Sequence, residues 1–486
     1  MMITAAYVRY RAVAGGLGAL LLILAGTMLL PLPWSFTPGA ESWRPLLLSA
    51  LPTAAAGGLL RLLGRGTTEL RRRDTYLLVT LAWLLAATAG ALPYMFSGVL
   101  PSFTNAFFES MSGFTTTGAS VITDVEVVPP GILFWRSLTH WLGGMGIMVL
   151  LVAMLSALGM GGLQVMKAEA PGPTVERVAT RVRETAQALW IAYVVLTAAQ
   201  VLCLWALGMS LFDALNHSFA TLATGGFSTR NASLGAFTPA MQWVTTLFMY
   251  LAGVNFALFV GAFQSRSPGP IWRDPEFRLY TWVTVGSGVA LTILIAGPKM
   301  GLLDALRHGA FQASSIMTTT GFATHDFDQW PWAAKWILGL LSVIGASTGS
   351  TGGAVKIMRF LVLIKQAAGE FARQIQPRVV RQVKLGSRVV PEELVVNIQQ
   401  FFFLYMAVLG AGTLILSATG LDLLSSLSAA GATLGNIGPG LGVVGPMTNY
   451  NALTDVATWT GSVLMLLGRL ELWTVLVLFS PAFWRR

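Results

Sequence analysis

The chain of 486 residues has few charged side chains: Asp, Glu, Lys and Arg make up 11% of it, whereas 54% is hydrophobic. Charged residues supply about a quarter of a soluble domain, because its surface must face water. This scarcity excludes a soluble enzyme, a disordered tail and a nucleic-acid-binding module. The composition therefore indicates an integral membrane protein.

Cysteine and histidine are also scarce. The single cysteine, Cys203, excludes an intrachain disulfide and a cysteine metal cluster, and its apolar surroundings in sequence predict a small core residue. The histidines lack metal-ligand spacing, which predicts packing roles. They are His140, His217, His308 and His325.

No nucleophile triad or paired carboxylates are evident, so no enzyme is expected. The GxGxxG pattern at 440–445 follows no strand, so no nucleotide is expected to bind this chain.

Apolar runs of membrane-spanning length recur along the chain, which predicts an all-α membrane fold. Roughly ten stretches reach the 20 or so residues that a spanning helix needs. They lie near 12–31, 46–63, 75–97, 132–158, 186–208, 239–263, 279–297, 333–363, 396–418 and 454–480. Lys and Arg gather in alternate connections, as is typical of the cytoplasmic side, so both termini are predicted to be cytoplasmic. The net charge of +10 is interpreted as this topology signal rather than as a nucleic-acid surface.

Four connections on the opposite side contain a short semi-apolar segment that ends in a Thr- and Gly-rich stretch. These segments are 108–118, 222–228, 311–321 and 432–438. One glycine of each, namely Gly118, Gly225, Gly321 and Gly435, recurs about every hundred residues. In this alignment Leu434 occupies a position that is threonine in the first and third segments. The recurrence predicts four copies of a unit made of a helix, a short half-helix and a second helix.

The Thr/Gly stretches suit a pore for a monovalent cation. Non-helical backbone at membrane depth survives only inside protein or against water, and its carbonyls can replace the water shell of a cation. The stretches contain no acids, which argues against a divalent ion. The candidate filter residues are Thr116, Thr117, Gly118, Ala119, Ala223, Thr224, Gly225, Gly226, Thr319, Thr320, Gly321, Phe322, Thr433, Leu434, Gly435 and Asn436. The alternative is that these small residues only pack helices together.

A second glycine-rich stretch, 344–353, interrupts the predicted helix at 333–363. Each glycine costs a helix about 1 kcal/mol relative to alanine, so the helix is expected to break there and to line a cavity. The candidate gate residues are Gly345, Gly349, Gly352, Gly353, Lys356 and Arg469. The alternatives are a tight helix crossing for the glycines, snorkelling of Lys356 and Arg359 to the interface, and an acidic partner for Arg469.

The four Thr/Gly stretches, together with 140–147, resemble the Trk/Ktr superfamily of bacterial potassium uptake proteins over nearly the whole chain. The two extra leading helices resemble its TrkH-type branch more than the shorter KtrB-type branch. The resemblance implies four pseudo-symmetric helix/pore-helix/helix repeats around one pore, preceded by two extra helices. It also implies potassium as the transported ion bound at the filter residues, an intramembrane gate loop, and Arg469 beside the permeation path. The implied partners are a second copy of the chain and a cytosolic TrkA-type nucleotide-binding ring, and the implied location is the bacterial inner membrane.

These inferences predict a division of the chain into an extra helical pair and four pore repeats. The boundaries are 1–70, 71–165, 166–268, 269–375 with the broken helix, and 376–486. The loop 167–183 and the linker 365–388 are candidate docking surfaces for the ring, because both are basic. Potassium over sodium selectivity is expected to be moderate, since the filter stretches differ from one another. A sodium- or proton-coupled symporter, using Glu109 or Asp213, is the alternative, followed by a membrane-embedded enzyme.

Overall fold

The computed structural model describes residues 8–65, 70–157, 175–298, 300–376, 382–386 and 388–485. Regular structure in these ranges is helical, apart from a two-stranded antiparallel hairpin in which Lys384 pairs with Val389 and Leu385 with Arg388. The fold is therefore all-α in class, as the apolar runs predicted.

The helices are numbered in chain order. They are α1 Tyr10–Thr27, α2 Trp43–Leu63, α3 Arg72–Phe96, α4 Phe103–Phe114, α5 Pro130–Ala157, α6 Val175–Ala206, α7 Leu211–Leu222, α8 Pro239–Ala252, α9 Phe256–Ser265, α10 Gly269–Arg273, α11 Pro275–Ile295, α12 Leu302–Met317, α13 Trp332–Ile344, α14 Ile357–Ile375, α15 Glu392–Ala418, α16 Leu423–Leu434, α17 Asp455–Arg469, α18 Trp473–Leu476 and α19 Pro481–Trp484. Strand β1 is Lys384–Leu385 and β2 is Arg388–Val389. Short 3-10 helices lie at Leu32–Trp34, Ser233–Ala236, Phe327–Gln329, Gly442–Val444, Tyr450–Ala452 and Val477–Phe479.

Within the described residues, six single helices are long and apolar enough to cross a membrane. They are α1, α2, α3, α6, α11 and α15, and each coincides with a predicted apolar stretch. Two bent helix pairs raise the number of spans to eight. The four predicted half-helices are α4, α7, α12 and α16, and each follows a helix longer than itself. The helices after α4, α7 and α16 are also longer, whereas α12 precedes the 13-residue α13, which is the first part of the broken stretch. The recurring order of helix, half-helix and helix is thus present in the structure.

Two stretches that were predicted as single helices are broken, so those predictions were wrong. The first, at 239–263, bends by 88° between α8 and α9, where the Asn255 side chain accepts a hydrogen bond from the backbone N–H of Ala257 and starts the new helix. The second, at 454–480, bends by 107° after α17, where Glu471 and Leu472 adopt left-handed backbone angles. Apolar composition predicts membrane depth but not helix continuity.

The break predicted in the stretch 333–363 is confirmed. Helix α13 ends at Ile344 and α14 begins at Ile357, with an irregular segment between them that we call the glycine loop, residues 345–356. Gly345 and Gly349 in this loop have φ angles of 72° and 78°. Residues with a Cβ rarely adopt this left-handed conformation, which explains the glycines and rules out a continuous helix packed tightly through small residues.

Cys203 does not lie in a core, contrary to the prediction. It is exposed on α6, beside Leu202 and Trp205, whose exposed fractions are 60% and 58%. The apolar run misled the prediction because lipid is as apolar as a protein interior, so an apolar side chain on a spanning helix need not face inward.

The N-terminal helices α1 and α2 cross at glycines. A Cβ on Gly57 would lie 2.9 Å from the Leu22 nitrogen and 3.1 Å from the Gly18 carbonyl oxygen. A Cβ on Gly64 would collide with the backbone of Gly15. Small residues let two membrane helices approach until their backbones touch, and this approach holds the extra pair together.

We expect Gly57→Leu to destabilise the packing of α1 on α2, because the new side chain must displace the α1 backbone. Overpacking of this kind costs about 1–3 kcal/mol. Gly58→Leu is the matched control, since a Cβ at Gly58 meets no atom within 4 Å. The measurement is the yield and melting temperature of each variant by size-exclusion chromatography in detergent. Equal behaviour of the two variants would contradict this account of the crossing.

Candidate functional site

The four half-helices each end just before a short irregular segment with a shared backbone pattern. In every segment two residues, separated by one, have left-handed φ angles. The pairs are Thr116 and Gly118 (54° and 80°), Thr224 and Gly226 (55° and 81°), Thr319 and Gly321 (60° and 83°), and Asn436 and Gly438 (54° and 98°). Left-handed residues at alternate positions turn successive carbonyls to the same side of the chain, as a carbonyl-lined cation site requires.

This pattern corrects the sequence alignment of the second and fourth segments. The residue between the left-handed pair donates its N–H to a carbonyl of the preceding half-helix in every segment. These bonds are Thr117 to Ser112 (2.9 Å), Gly225 to Ala220 (2.7 Å), Thr320 to Ser315 (2.8 Å) and Ile437 to Ala432 (2.8 Å). The equivalent glycines are therefore Gly118, Gly226, Gly321 and Gly438. Matching Gly225 and Gly435 with Gly118 was wrong. The second and fourth segments each contain two glycines, and only the backbone φ angle shows which of the two is equivalent to Gly118.

The corrected alignment changes which residues of the fourth segment are equivalent to those of the first. Asn436 is the counterpart of Thr116, and Ile437, not Leu434, is the counterpart of Thr117. Leu434 is the last residue of α16. Ile437 and Gly438 were absent from the predicted set. The signal that could have identified them is a glycine two residues after a Thr or Asn, which all four segments share.

The four segments close a ring. A Cβ placed on each equivalent glycine would collide with a carbonyl oxygen of the next segment. Gly118 meets Gly225, Gly226 meets Thr320, Gly321 meets Ile437, and Gly438 meets Thr117. The contacts follow chain order and the fourth returns to the first, so the segments surround one axis. We call these eight residues the glycine ring.

Side chains around the glycine ring alternate rather than repeat four times. The hydroxyls of Thr115 and Thr117 are 2.8 Å apart, and those of Thr318 and Thr320 are 2.7 Å apart. The second and fourth segments have Ala, Gly or Ile at these positions. The Asn436 amide instead bridges to the Thr117 hydroxyl at 3.0 Å. The side-chain contacts around the ring therefore repeat twice, whereas the backbone pattern repeats four times.

A buried ion pair contacts the first two segments and links them. The Arg136 Nε and the Glu109 Oε1 are 2.7 Å apart, and their side chains are 4% and 0% exposed. Glu109 also accepts from the Val121 N–H, while Arg136 donates to the Ser228 carbonyl and covers the Phe227 ring at 3.4 Å. The pair therefore connects the outer ends of two neighbouring segments.

His140 packs between the same two segments, as its predicted packing role requires. Its Nδ1 lies 2.8 Å from the Gly113 carbonyl, and its Nε2 accepts from the Phe227 N–H at 3.3 Å. The Gly113 carbonyl needs a donor and the Phe227 N–H needs an acceptor, so the His140 imidazole is the neutral Nδ1–H tautomer. A Cβ on Gly225 would collide with this imidazole, which explains the second glycine of that segment.

The glycine loop lies against the inner ends of three segments. The Gly353 N–H donates to the Thr319 hydroxyl at 2.7 Å, and the Ala354 N–H donates to the Gly435 carbonyl at 3.1 Å. The Thr351 hydroxyl donates to the Leu222 carbonyl at 2.9 Å. The loop thus occupies the space directly beneath the glycine ring.

The charged gate candidates meet at this loop. Arg469 is 3% exposed and donates to the Thr351 carbonyl at 2.8 Å and to the Gly143 carbonyl at 3.3 Å. The acid near it in sequence, Glu471, instead pairs with Arg359 at 2.6 Å. Lys356 is 7% exposed and donates to the Gly352 carbonyl, so it does not snorkel to the interface. Within the part of the chain that the structure describes, Arg469 donates to backbone carbonyls and has no acidic partner.

An external cavity of about 140 Å³ opens above the glycine ring. Its walls include all four equivalent glycines, Gly118, Gly226, Gly321 and Gly438. The loops around it are joined at Asn231, which accepts from the Val125 N–H and donates to Asp124 at 2.7 Å. This hydrogen bond lowers the pKa of the exposed Asp124 carboxyl below its usual value. The cavity connects the ring to the outer surface.

Part of the predicted docking surface lies outside the described residues. Lys167 and residues 377–381 belong to this part. In the linker, Lys365 contacts the Lys384 carbonyl at 2.6 Å.

The fold and the ring define a helical membrane protein with several spans and four re-entrant segments around one axis. A family model described as TrkH, a cation transport protein, matches residues 49–486. This chain therefore belongs to the TrkH family of cation transport proteins, which are transporters rather than enzymes.

Curated relatives agree over the full length. The chain is 40% identical over 482 residues to the Trk system potassium uptake protein TrkH of Salmonella typhimurium, covering 98% of this chain and 99% of that protein. It is 43% identical over 424 residues to the TrkH of Vibrio parahaemolyticus, covering 86% and 87%. The crystal structure of the potassium transporter TrkH from Vibrio parahaemolyticus matches with a TM-score of 0.89 at 39% identity, covering 98% of this chain and 100% of that one.

We expect Glu109→Gln to lower the free energy of unfolding by about 3 kcal/mol, because it leaves Arg136 buried without a countercharge. The control is Glu370→Gln, which breaks the exposed pair of Glu370 and Arg373 and should cost less than about 1 kcal/mol. Denaturant titration in detergent micelles measures both. Equal stability of the two variants would show that the buried pair does not support the ring.

Proposed function

We propose that this chain conducts potassium into the cell through the glycine ring. The observation that carries the proposal is the closure of four carbonyl-bearing segments on one axis. Backbone carbonyls that replace a hydration shell suit a monovalent cation, and the similar proteins are named for potassium uptake. Rubidium should pass as well, and sodium more weakly, because the alternating support makes the ring less uniform than a fourfold one.

The ion ligands in this proposal are main-chain oxygens of the predicted filter residues, together with Ile437 and Gly438. The Thr116 hydroxyl supports an inner site, since it is buried and has no hydrogen-bond partner among the described residues. Its counterpart on Thr319 accepts from the glycine loop. An unpartnered buried oxygen costs free energy that a bound cation or water would return.

Unaided flow fits the site better than coupled symport. The Glu109 carboxylate is occupied by Arg136 and the Val121 N–H. Asp213 is occupied by the Thr229 hydroxyl at 2.6 Å and by Ser210. The two acids that the symporter alternative invokes, Glu109 and Asp213, therefore already have partners. The membrane potential supplies about 2.3 kcal/mol per charge per 100 mV for inward flow.

The glycine loop is the gate in this proposal, with Gly345, Gly349, Gly352 and Gly353 giving it freedom to move. Its position beneath the ring supports this role, because an ion leaving the ring inward would meet the loop. The charges of Lys356 and Arg469 beside the loop add an electrostatic barrier to cations.

The wider arrangement completes the proposal. The chain lies in the bacterial inner membrane with both termini in the cytoplasm, as the basic connections support. Its units follow the boundaries 1–70, 71–165, 166–268, 269–375 and 376–486. It works as a homodimer with a cytosolic TrkA-type nucleotide-binding ring. Exposed apolar side chains along α14, at Ile364, Phe371 and Ile375, support a contact with lipid or a second copy.

We expect Gly438→Ala to abolish potassium uptake, because the new Cβ strains a φ of 98° and lies 2.6 Å from the Thr117 carbonyl oxygen. Gly431→Ala, in α16 of the same repeat, should retain uptake, since its nearest neighbour is 4.0 Å away. The measurement is growth at low potassium of an uptake-deficient bacterium supplied with the partner ring. Wild-type chain that inserts but does not rescue growth would overturn the proposed function.

We expect Gly345→Ala to raise flux, because a Cβ there would lie 2.8 Å from both the Ala354 Cβ and the Gly353 carbonyl oxygen, and so disfavours the observed loop conformation. Gly339→Ala on α13 is the control, with no atom within 4 Å. Rubidium uptake into proteoliposomes compares the two. Unchanged flux in Gly345→Ala at equal protein would remove the loop as a gate.

A further inference from the structure

One buried acid contacts the glycine loop from outside it. Glu276, at the start of α11, is 2% exposed, and its Oε1 accepts from the Thr348 N–H at 2.6 Å. Among the described residues no basic side chain lies within 4 Å of this carboxylate, unlike that of Glu109. A buried carboxylate costs free energy unless it is hydrogen-bonded, so the bond from the Thr348 N–H stabilises Glu276 in its buried position.

The charges around the loop match the polarity of the backbone groups they face. The acid Glu276 meets an N–H of the loop, whereas Lys356 and Arg469 meet the carbonyls of Gly352 and Thr351. Hydrogen bonds with one ionised partner are roughly twice as strong as neutral ones. Three backbone groups in the middle of the loop, from Thr348 to Gly352, are therefore held by charges of the complementary sign.

The three charged residues lie on different parts of the structure. Lys356 belongs to the loop and moves with it. Arg469 is at the end of α17 and Glu276 is on α11, so both are anchored in helices that pack around the loop. The loop can leave the space beneath the glycine ring only if the bonds to both helices break. The sequence pattern indicated Arg469 as a gate residue but gave no sign of Glu276.

We propose that Glu276 is a latch, a positioning residue that holds the glycine loop closed through the Thr348 N–H. The proposal rests on the gating role given above for the loop. It assigns the carboxylate no contact with the ion. Its removal should change how often the pathway opens and leave the conductance of the open pathway unchanged.

The test compares Glu276→Ala, Glu276→Gln and Asp274→Ala in the full-length chain. Single-channel recording with potassium should show about a tenfold higher open probability for Glu276→Ala at unchanged unitary current, as expected for the loss of one charge-assisted bond. Glu276→Gln keeps an acceptor oxygen but loses the charge, so its open probability should lie between those of wild type and Glu276→Ala. Asp274→Ala removes the N-cap of α11, whose Oδ1 accepts from the Phe277 N–H at 2.8 Å, and controls for a weakened helix.

A second readout does not depend on the transported ion. Ser350 is fully buried in the loop, so Ser350→Cys in a Cys203→Ser background should react slowly with a water-soluble methanethiosulfonate reagent. Adding Glu276→Ala should speed this modification about tenfold, as the same loss of one bond implies. An unchanged modification rate overturns the latch. So does an equal acceleration by Asp274→Ala. If wild type passes no potassium but the modification result holds, the proposed function fails and the latch stands.

Discussion

The structure depends on how backbone groups are satisfied where the chain leaves the helical state inside a membrane. Lipid offers no hydrogen-bonding partner, so every irregular segment needs protein around it. The four segments of the glycine ring meet this need by surrounding one another, each with a glycine against a carbonyl of the next. A Cβ at any of these glycines would force two segments apart. The close approach therefore concentrates main-chain oxygens around one axis.

The same constraint governs the glycine loop. Its backbone is satisfied by the Thr319 hydroxyl, by Arg469 and by Glu276, which come from three different parts of the chain. A helix satisfies its backbone internally and resists bending. A loop held by separate side chains can change partners at much lower cost, which is the property a gate requires. The rigidity of the ring and the proposed mobility of the loop thus follow from different sources of hydrogen bonds.

Much of the fold could be predicted because it depends on local composition. The apolar runs located α1, α2, α3, α6, α11 and α15, and the glycines located the break after α13. The register of the ring was missed, because Gly435 and Gly438 are both available in the fourth segment and the backbone angles that distinguish them are set by the neighbouring segment. Cys203 was misplaced for a related reason: hydropathy does not distinguish a lipid-facing surface from a protein core.

The sequence by itself determined that this chain enters a membrane, repeats a hairpin unit and interrupts its helices at glycine-rich stretches, because hydropathy and glycine content act over a few neighbouring residues. The tertiary structure alone decided which glycines meet, that Arg469 binds carbonyls rather than an acid, and that Glu276 reaches the loop from α11. These contacts join residues that are far apart in the chain. Their formation depends on how the helices pack, which no local pattern encodes.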